Sequence, residues 1–505
     1  MLGTISRSLA AGLLLGGVAA AGANAESVIR IGLQEDPDSF DPARAYSFVG
    51  RIVLTSLCNK LIDAAPDLHF VPQLALSWET SADGKTVTFR LRPGVKFSDG
   101  TELDAAAVAL NLDRAMHLPE SRRKSEVAAL DTVDVIDPLT VRLNLKNPFA
   151  PLIAQLSDRA GLVASPKALK NPAGFDQAPA CSGPFKMAER AVQDHIALVR
   201  DPNYWDAGRI HIDRVEFRII PDPAVRLANL RAGALDFAER ILASDVAGLK
   251  ADPRFKVLVG PSLQYNGITI NIANGTGGNP DFAKTPQLRE ALDLAIDRDA
   301  INQVLFAGNA VPDNQPQPVS SPYHSPDRPM QPRDLARAQS LVKASGVTHP
   351  TLELMVINSA DQAQLGQMLQ SMAAEAGIEI KLKTLEFQTL LSQQAKGDYQ
   401  ASLIGWSGRV DPDGNIYTLL GCKSPTNDCR YCEPTAEALL LGGQAETNLE
   451  ARQKLYHQAI DKIVDDRPII YLYHPPLIQA MTAKLTGFGF HTDGLIRLQD
   501  VQYSP

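Results

Sequence analysis

The segment from Ile404 to Asn415, IGWSGRVDPDGN, combines side chains that could bind or transform a small molecule. Trp406, Arg409, Asp411 and Asp413 fall within eight residues and are separated by Gly, Ser and Pro. Trp offers a flat apolar face, Arg a planar donor for carboxylate or phosphate, and Asp an acceptor for an ammonium group. The pattern predicts a strand that ends in a charged turn, which serves either as a catalyst or as a ligand clamp.

An alternative interpretation is that the same turn has a purely structural role. Asp411-Pro412-Asp413-Gly414 is also a turn sequence in which Asp bonds its own backbone, and Arg409 could pair internally with Asp411 or Asp413. Catalysis has little support, since Gly405-Trp406-Ser407-Gly408 is one residue short of the G-x-S-x-G nucleophile motif. The sequence also lacks a phosphate-binding P-loop, and its nine His are scattered without metal-ligand spacing. We expect no cofactor and no metal.

Composition and the N-terminus indicate an exported protein. The formal net charge is −8 without a basic stripe, which argues against nucleic-acid binding. Arg7, an apolar run over residues 9–23 and the A-x-A site at residues 23–25 predict a signal peptide over residues 1–25. The mature chain should begin near Glu26 and be soluble. No Cys follows the apolar run closely, so we expect no lipid anchor.

Three of the five Cys cluster in CKSPTNDCRYC, at Cys422, Cys429 and Cys432. A zinc site would need a second ligand pair nearby, and a redox C-x-x-C would need a β-α-β setting that is missing there. A local disulfide in an oxidising compartment fits better. From spacing alone, either Cys422–Cys432 or Cys422–Cys429 is open, and we expect no bond between Cys58 and Cys181.

The elements that must position these side chains change character along the chain. Alternating residues at 86–91 and over TVDVIDPLTVRLNL predict strands and a hairpin, and Asp104 should cap a helix that ends at Met116. In the second half, helical periodicity predicts helices over 289–306, 334–344 and 362–376. Strands on both sides of the last helix give a β-α-β unit over 351–386, which favours a parallel pair. RPIIYLYH and IRLQDVQY should be closing strands.

Several segments in succession resemble the signatures of the family 5 extracellular solute-binding proteins, the peptide- and nickel-binding components of ABC importers. The resemblance spans essentially the whole mature chain. It is carried by DPDSFDPARAYSF…LCNKLID, PQLALSWETSADGKTVTFRLRPGVKFSDGTELDAAAVALNL, CSGPFKMAERAVQDHIALVRDPNYW and LREALDLAIDRDAINQVLFAG.

The resemblance implies an α/β fold, the two-lobed periplasmic binding protein fold (type II, class C) with a two-strand hinge. Lobe I would comprise residues 26–264 and 478–505, with an extra subdomain inserted at about 60–175. Lobe II would comprise residues 265–477. The chain should cross between lobes near LQYNGITINI and YLYHPPLIQA.

The implied function is a periplasmic receptor that captures a peptide or peptide-like solute by lobe closure and delivers it to an inner-membrane permease with its ATPase subunits. The protein would act as a monomer and not as an enzyme. The expected ligand contacts are Trp406, Ser407, Gly408, Arg409, Asp411, Asp413, Tyr46 and Asn271. The resemblance also favours Cys422–Cys432 as the disulfide.

One departure from the family affects the choice of ligand. Dipeptide binders resembling this chain carry an acidic residue just after the Trp-Ser/Thr-Gly segment, where this chain has Arg409. An anionic solute is therefore the alternative: an opine, a sugar-phosphate conjugate or a glutathione-like peptide. Nickel is less favoured as the ligand, because a nickel site requires converging His or carboxylate side chains. An exported hydrolase that uses carboxylate pairs is a further alternative.

Overall fold

The computed structural model describes residue 3 and residues 26–504. The predicted signal peptide, apart from Gly3, lies outside the described residues. Within them, no helix combines the length and apolar character needed to span a membrane.

Twelve strands precede residue 262, and nine follow it. The first group is β1 Val28–Leu33, β2 Ile62–Ala64, β3 Phe70–Pro72, β4 Ala75–Thr80, β5 Thr86–Leu91, β6 Leu130–Asp137, β7 Thr140–Leu145, β8 Phe185–Ala191, β9 His195–Arg200, β10 Arg214–Ile219, β11 Phe237–Ala238 and β12 Phe255–Gly260. The second group is β13 Tyr265–Ile270, β14 Val311–Pro312, β15 Thr351–Ile357, β16 Glu379–Leu385, β17 Ala401–Trp406, β18 Ile469–His474, β19 Leu477–Thr482, β20 Leu485–Thr486 and β21 Gln502–Tyr503.

The helices lie mostly in the second half of the chain. They are α1 Phe48–Leu57, α2 Ala105–His117, α3 Leu152–Leu156, α4 Pro223–Arg231, α5 Val246–Lys250, α6 Pro280–Lys284, α7 Pro286–Ala295, α8 Arg298–Phe306, α9 Leu335–Ala344, α10 Ala360–Glu375, α11 Phe387–Lys396, α12 Tyr417–Leu420, α13 Pro434–Ala445 and α14 Leu449–Asp466.

Three sheets, each with its own apolar core, organise these elements. A seven-stranded sheet has the order β12-β19-β11-β1-β10-β9-β8, and a six-stranded sheet has the order β14-β18-β13-β17-β15-β16. A four-stranded antiparallel sheet, β4-β5-β7-β6, packs against α2 and is inserted between β1 and β8 in the chain. The chain passes from the seven-stranded to the six-stranded sheet between β12 and β13, and it returns between β18 and β19.

Most elements predicted from local pattern are present. On β5, Val87, Phe89 and Leu91 are buried, as the alternation predicts. The Asp104 carboxylate accepts a hydrogen bond from Ala107 N at the start of α2, which confirms the predicted cap. Strands β15 and β16 are parallel and flank α10, which confirms the β-α-β unit over residues 351–385.

Two predicted elements are wrong in detail. The single helix predicted over residues 289–306 is two helices, because Asp297 leaves helical geometry and caps α8 by accepting from Ala300 N at 2.8 Å. The predicted closing strand IRLQDVQY is mostly irregular, and only Gln502–Tyr503 pairs, with β20.

The structure contains two disulfides, one of which contradicts the sequence prediction. Cys422 is bonded to Cys432, as the family resemblance implied, and Cys429 is free and buried. Cys58 is also bonded to Cys181, across 123 residues, so the expectation that these two stay unpaired is wrong. That pairing depends on tertiary structure, because Cys58 follows α1 and Cys181 precedes β8, and sequence spacing carries no signal of their approach.

We expect one alkylatable thiol in the unfolded, unreduced protein and five after reduction, because the two disulfides leave only Cys429 free. In the folded protein Cys429 should resist iodoacetamide, since it is buried and burial raises the pKa of its thiol to about 12. Mass spectrometry of alkylated peptides measures the count. Alkylation of Cys58 and Cys181 before reduction would show that these two residues are not bonded.

Candidate ligand-binding site

A cavity of about 410 Å³ lies between the two large sheets. The seven-stranded sheet contributes residues 34–36, just after β1, and residues 240–243, just after β11. The six-stranded sheet contributes residues of β13 and residues 404–407 at the end of β17. Pro475 and Pro476 of the second connection also line it. Both sheets and a connection between them thus form the wall of one cavity.

Close packing at β13 supports the cavity wall. The strand has a register shift between Asn266 and Gly267, against β18. A Cβ atom on Gly267 would lie only 2.8 Å from Ile470 O, so a side chain at this position would push β13 and β18 apart. Asn266, on the other side of the shift, lines the cavity.

Trp406, Ser407 and Tyr46 are the sequence-predicted site residues that line the cavity. The ring centroids of Tyr46 and Trp406 are 5.9 Å apart. Trp406 donates its Nε1–H to Gly414 O at 3.0 Å, so the polar edge of the indole is satisfied within the protein. The residues place a tilted aromatic pair at the wall, suited to contact apolar or planar parts of a ligand.

Arg409 lies behind this wall and outside the residues that line the cavity. Its Nε is 2.7 Å from Asp158 Oδ2, and its guanidinium stacks 4.5 Å from the Trp406 ring centroid. Arg51 also reaches Asp158, at 2.9 Å. The Arg409 Nη2 is buried and has no hydrogen-bond partner among the described residues. Arg409 therefore pairs with the segment between β7 and β8 rather than with Asp411 or Asp413.

The charges of this cluster remain paired in ionised form. Burial, together with the neighbouring Arg51 charge, lowers the pKa of Arg409 to about 10, which still leaves it protonated near neutral pH. Burial alone would raise the pKa of Asp158, but Arg51 and Arg409 hold it well below its usual range. The cluster is a buried, partly shared ion pair between segments that are distant in sequence.

The two Asp of the turn have separate internal partners. Asp411 forms a two-pronged pair with Arg452, at 2.7 and 2.8 Å. Asp413 accepts from Gln444 at 2.6 Å and from Gln155 at 3.2 Å. Burial and the nearby Asp411 charge raise the pKa of Asp413 to about 7.

Gly408 and Asn271 also lie outside the cavity lining. Gly408 has φ +73°, and a Cβ there would lie 2.1 Å from Leu263 O, so this position requires glycine. Asn271 Nδ2 donates to Asn274 O and Tyr399 O, both at 2.9 Å, and thereby fixes a loop. A ligand-binding role for these two residues, and for Arg409, Asp411 and Asp413, stays a prediction.

Sequence reasoning missed most of the polar side chains that line the cavity. Glu35, Arg240 and Asp428 come from three separate segments, and Asn266 and Gln362 add amide groups. The sequence held one weak signal, since Asp428 lies within the cysteine cluster. For Arg240 it held none, and only the structure shows that this non-glycine residue adopts φ +49°. Burial raises the pKa of Glu35 to about 8, although Arg240 opposes the shift, so Glu35 is largely protonated at neutral pH.

The described residues contain no cluster of three or more His, Cys, Asp or Glu arranged to hold a metal ion. The polar groups that line the cavity are instead dispersed carboxylate, guanidinium and amide groups. They can bind an organic ligand through hydrogen bonds and charge, with the aromatic pair supplying apolar contact.

Comparison with known proteins agrees with this architecture. The glutathione-binding protein GsiB of Pectobacterium atrosepticum is 30% identical over 479 residues, covering 92% of this chain and 91% of that protein. The periplasmic binding protein DppA from Helicobacter pylori, solved with peptide STSA, has a TM-score of 0.87 at 23% identity and covers 95% of this chain and 98% of its own.

A dipeptide-binding protein from Pseudoalteromonas sp. SM9913, solved with Met-Leu, gives the same TM-score of 0.87 at 22% identity, covering 94% of this chain and 100% of its own. These likenesses establish the two-lobed periplasmic binding protein fold. The model of the bacterial extracellular solute-binding proteins, family 5 Middle, matches residues 69–427. This chain belongs to family 5 of the bacterial extracellular solute-binding proteins.

Proposed function

We propose that this protein is a periplasmic receptor of an ABC importer that captures a peptide or peptide-like solute and delivers it to an inner-membrane permease. The observation that carries the proposal is the cavity of about 410 Å³ walled by both large sheets, with Trp406 and Tyr46 on its surface. A signal peptide over residues 1–25 would export the protein, and the permease with its ATPase subunits would accept the loaded form.

The lobes of this receptor are residues 26–264 with 478–505, and residues 265–477, with a subdomain at about 60–175 inserted in the first. In support, the strands pass between the large sheets only near residues 260–265 and 474–477 within the described chain. Several bonds join the proposed lobes directly, including Arg409 to Asp158 at 2.7 Å and Ala150 N to Gln444 O at 2.8 Å. These bonds belong to a closed form and would break on opening.

A peptide is the favoured solute. The polar lining combines both signs of charge with amide groups, as recognition of a peptide requires, and the relative GsiB is a glutathione-binding protein. Glutathione is thus the first ligand to test. An anionic solute without a peptide bond, such as an opine, is the second candidate, since no carboxylate of the described residues lies within 4.0 Å of the Arg240 guanidinium.

Glutathione or the dipeptide Met-Leu should bind saturably with one site per protein and be recovered unchanged. Isothermal titration calorimetry gives the stoichiometry and affinity, and mass spectrometry of the released ligand shows whether it is intact. Native mass spectrometry of protein taken from its own periplasm should show a retained small molecule. Conversion of the peptide would support the hydrolase alternative, and binding of an opine but no peptide would support the second candidate.

Ligand should also bring the lobes together, because contacts such as Arg409 to Asp158 form only when the two proposed lobes approach. Small-angle X-ray scattering with saturating glutathione or Met-Leu should show a smaller radius of gyration than the ligand-free protein. A ligand shifts this equilibrium only by its differential affinity for the closed form. An unchanged radius despite calorimetric saturation would count against closure around these connections.

Arg409→Ala should weaken binding of glutathione and Met-Leu about equally, roughly tenfold to a hundredfold, because it removes a charged contact worth about 1.5–3 kcal/mol from the closed form. The melting temperature without ligand should change little. Trp406→Ala should also weaken binding, through lost contact area. Met-Leu amide, which lacks the ligand carboxylate, distinguishes two possible roles of Arg409: stabilising the closed form and binding the ligand carboxylate directly.

If Arg409 binds the ligand carboxylate directly, its replacement should cost affinity for Met-Leu but not for Met-Leu amide. An equal loss of affinity for Met-Leu and Met-Leu amide supports a role of Arg409 in lobe closure. A sharp fall in the ligand-free melting temperature with unchanged affinity would assign Arg409 to stabilising the turn alone. Arg231→Ala, at an exposed position of α4, is the control for loss of an Arg elsewhere.

A further inference from the structure

Two charged side chains on opposite walls of the cavity have no oppositely charged side chain within 4.0 Å among the described residues. They are Asp428, on the six-stranded-sheet side, and Arg240, on the seven-stranded-sheet side. Neither residue forms an ion pair within residues 26–504, although exposed residues close in sequence, such as Arg254 and Asp252, do so. A ligand that carries groups of opposite charge can pair with such side chains when it binds in the cavity.

Asp428 is a buried carboxylate held in place by its loop. It is 8% exposed, and its only side-chain partner within the described chain is Gln394, whose Nε2 donates to Oδ2 at 3.1 Å. Its carbonyl oxygen accepts from Asn274 Nδ2 at 2.8 Å and from Tyr399 Oη at 3.0 Å. The Cys422–Cys432 disulfide closes the same loop. A fixed, buried carboxylate without a cation is costly, and a ligand ammonium would remove that cost.

Arg240 presents a guanidinium from the opposite wall. Its Nη2 donates to Gln264 Oε1 at 3.2 Å, its Nε is buried without a hydrogen-bond partner, and its charge lies 5.5 Å from the Phe48 ring centroid. The residue lies two positions after the end of β11 and adopts φ +49°, a left-handed conformation that is costly for Arg. A guanidinium with free donors is suited to a carboxylate.

Two amide oxygens of the cavity lining favour a ligand that carries N–H groups. Asn266 Oδ1 and Gln362 Oε1 are buried, belong to residues that line the cavity, and accept no hydrogen bond within the described chain. Buried acceptors are normally satisfied, and the N–H groups of a peptide backbone would satisfy them.

The other acidic residues of the lining are already committed or less buried. Asp36 lies 3.5 Å from Arg190 and accepts from Gln193 N at 3.0 Å. Glu386 is exposed and caps α11 by accepting from Thr389 N at 3.0 Å. Glu35 and Asp361 also lack an ion pair among the described residues, but both are only partly buried, and burial raises the pKa of Glu35 to about 8, which leaves it largely protonated at neutral pH. Asp428 is therefore the buried acidic residue of the lining that lacks a counter-charge among the described residues.

We propose that the receptor binds its peptide as a zwitterion, with the ligand ammonium on Asp428 and a ligand carboxylate on Arg240, so that the peptide spans the cavity from one sheet to the other. This assignment rests on the proposed function and names the charged groups that the solute must carry. It places recognition of the ammonium on the disulfide-closed loop and not on the turn that contains Arg409.

The test pairs each variant with the ligand derivative that lacks the matching charge. Wild type and Asp428→Asn are titrated with glutathione and N-acetyl-glutathione, and wild type and Arg240→Gln with glutathione and its glycine ethyl ester. The same design is run with Met-Leu, N-acetyl-Met-Leu and Met-Leu amide. Asp398→Asn and Arg231→Gln, at exposed positions outside the lining, are the matched controls.

Wild type should lose roughly tenfold to a hundredfold in affinity on N-acetylation or on neutralising the carboxylate. In Asp428→Asn the acetylation penalty should vanish while the carboxylate penalty persists, and Arg240→Gln should show the reverse. The controls should keep both penalties. Melting temperatures without ligand within a few degrees of wild type would show that the variants fold.

Three outcomes would overturn the assignment. In the first, the affinity of the wild type does not change when the ligand loses either charge. In the second, the affinity penalties of the wild type persist in the variants. In both cases the protein binds the ligand, but Asp428 and Arg240 do not bind its charged groups. If wild type binds neither glutathione, Met-Leu nor any of their derivatives, the proposed function itself fails and the assignment fails with it. Only the last outcome touches the proposed function, so the two failures can be told apart.

Discussion

The two connections between the large sheets constrain everything else in this molecule. The first connection, between β12 and β13, and the second, between β18 and β19, lie side by side because His474 Nδ1 bonds Gln264 O at 2.8 Å. Gln264 also accepts from Arg240, so one side chain at the crossing bonds a residue that lines the cavity. The position of one sheet relative to the other, and hence the shape of the cavity, is set at this narrow junction.

Buried charged side chains limit how the segments around this junction can move. Arg409, Asp158 and Arg51 form a buried cluster between segments attached to different sheets. Such a cluster is stable only while its members stay together, because separating them leaves charges without partners. The ionic contacts behind the cavity wall therefore favour the arrangement seen here, while the unpaired charges that face the cavity leave a place for a ligand.

Local sequence patterns predicted much of the fold. The cap at Asp104, the alternation in β5 and the β-α-β unit around α10 each depend on residues close together in the chain. The break between α7 and α8 was missed because the apolar periodicity continues across Asp297, whose capping role competes with it. The Cys58–Cys181 bond was missed because it depends on tertiary contact between distant segments.

The site was predictable only where chemistry is concentrated in one segment. The turn after β17 drew attention to Trp406 and Ser407, which line the cavity, because aromatic and charged residues cluster there. The role of Arg409 depends on Asp158, which no spacing rule connects to it. Arg240 and Asp428 are single charged residues in unremarkable sequence surroundings, and they line one cavity only because the fold brings their two distant segments to it.

The Cys58–Cys181 bond has one more consequence: it encloses the whole four-stranded sheet in a covalent ring, across 123 residues. A single backbone cut by a protease anywhere in that ring leaves both fragments attached through sulfur, so that they separate only when the bond is reduced.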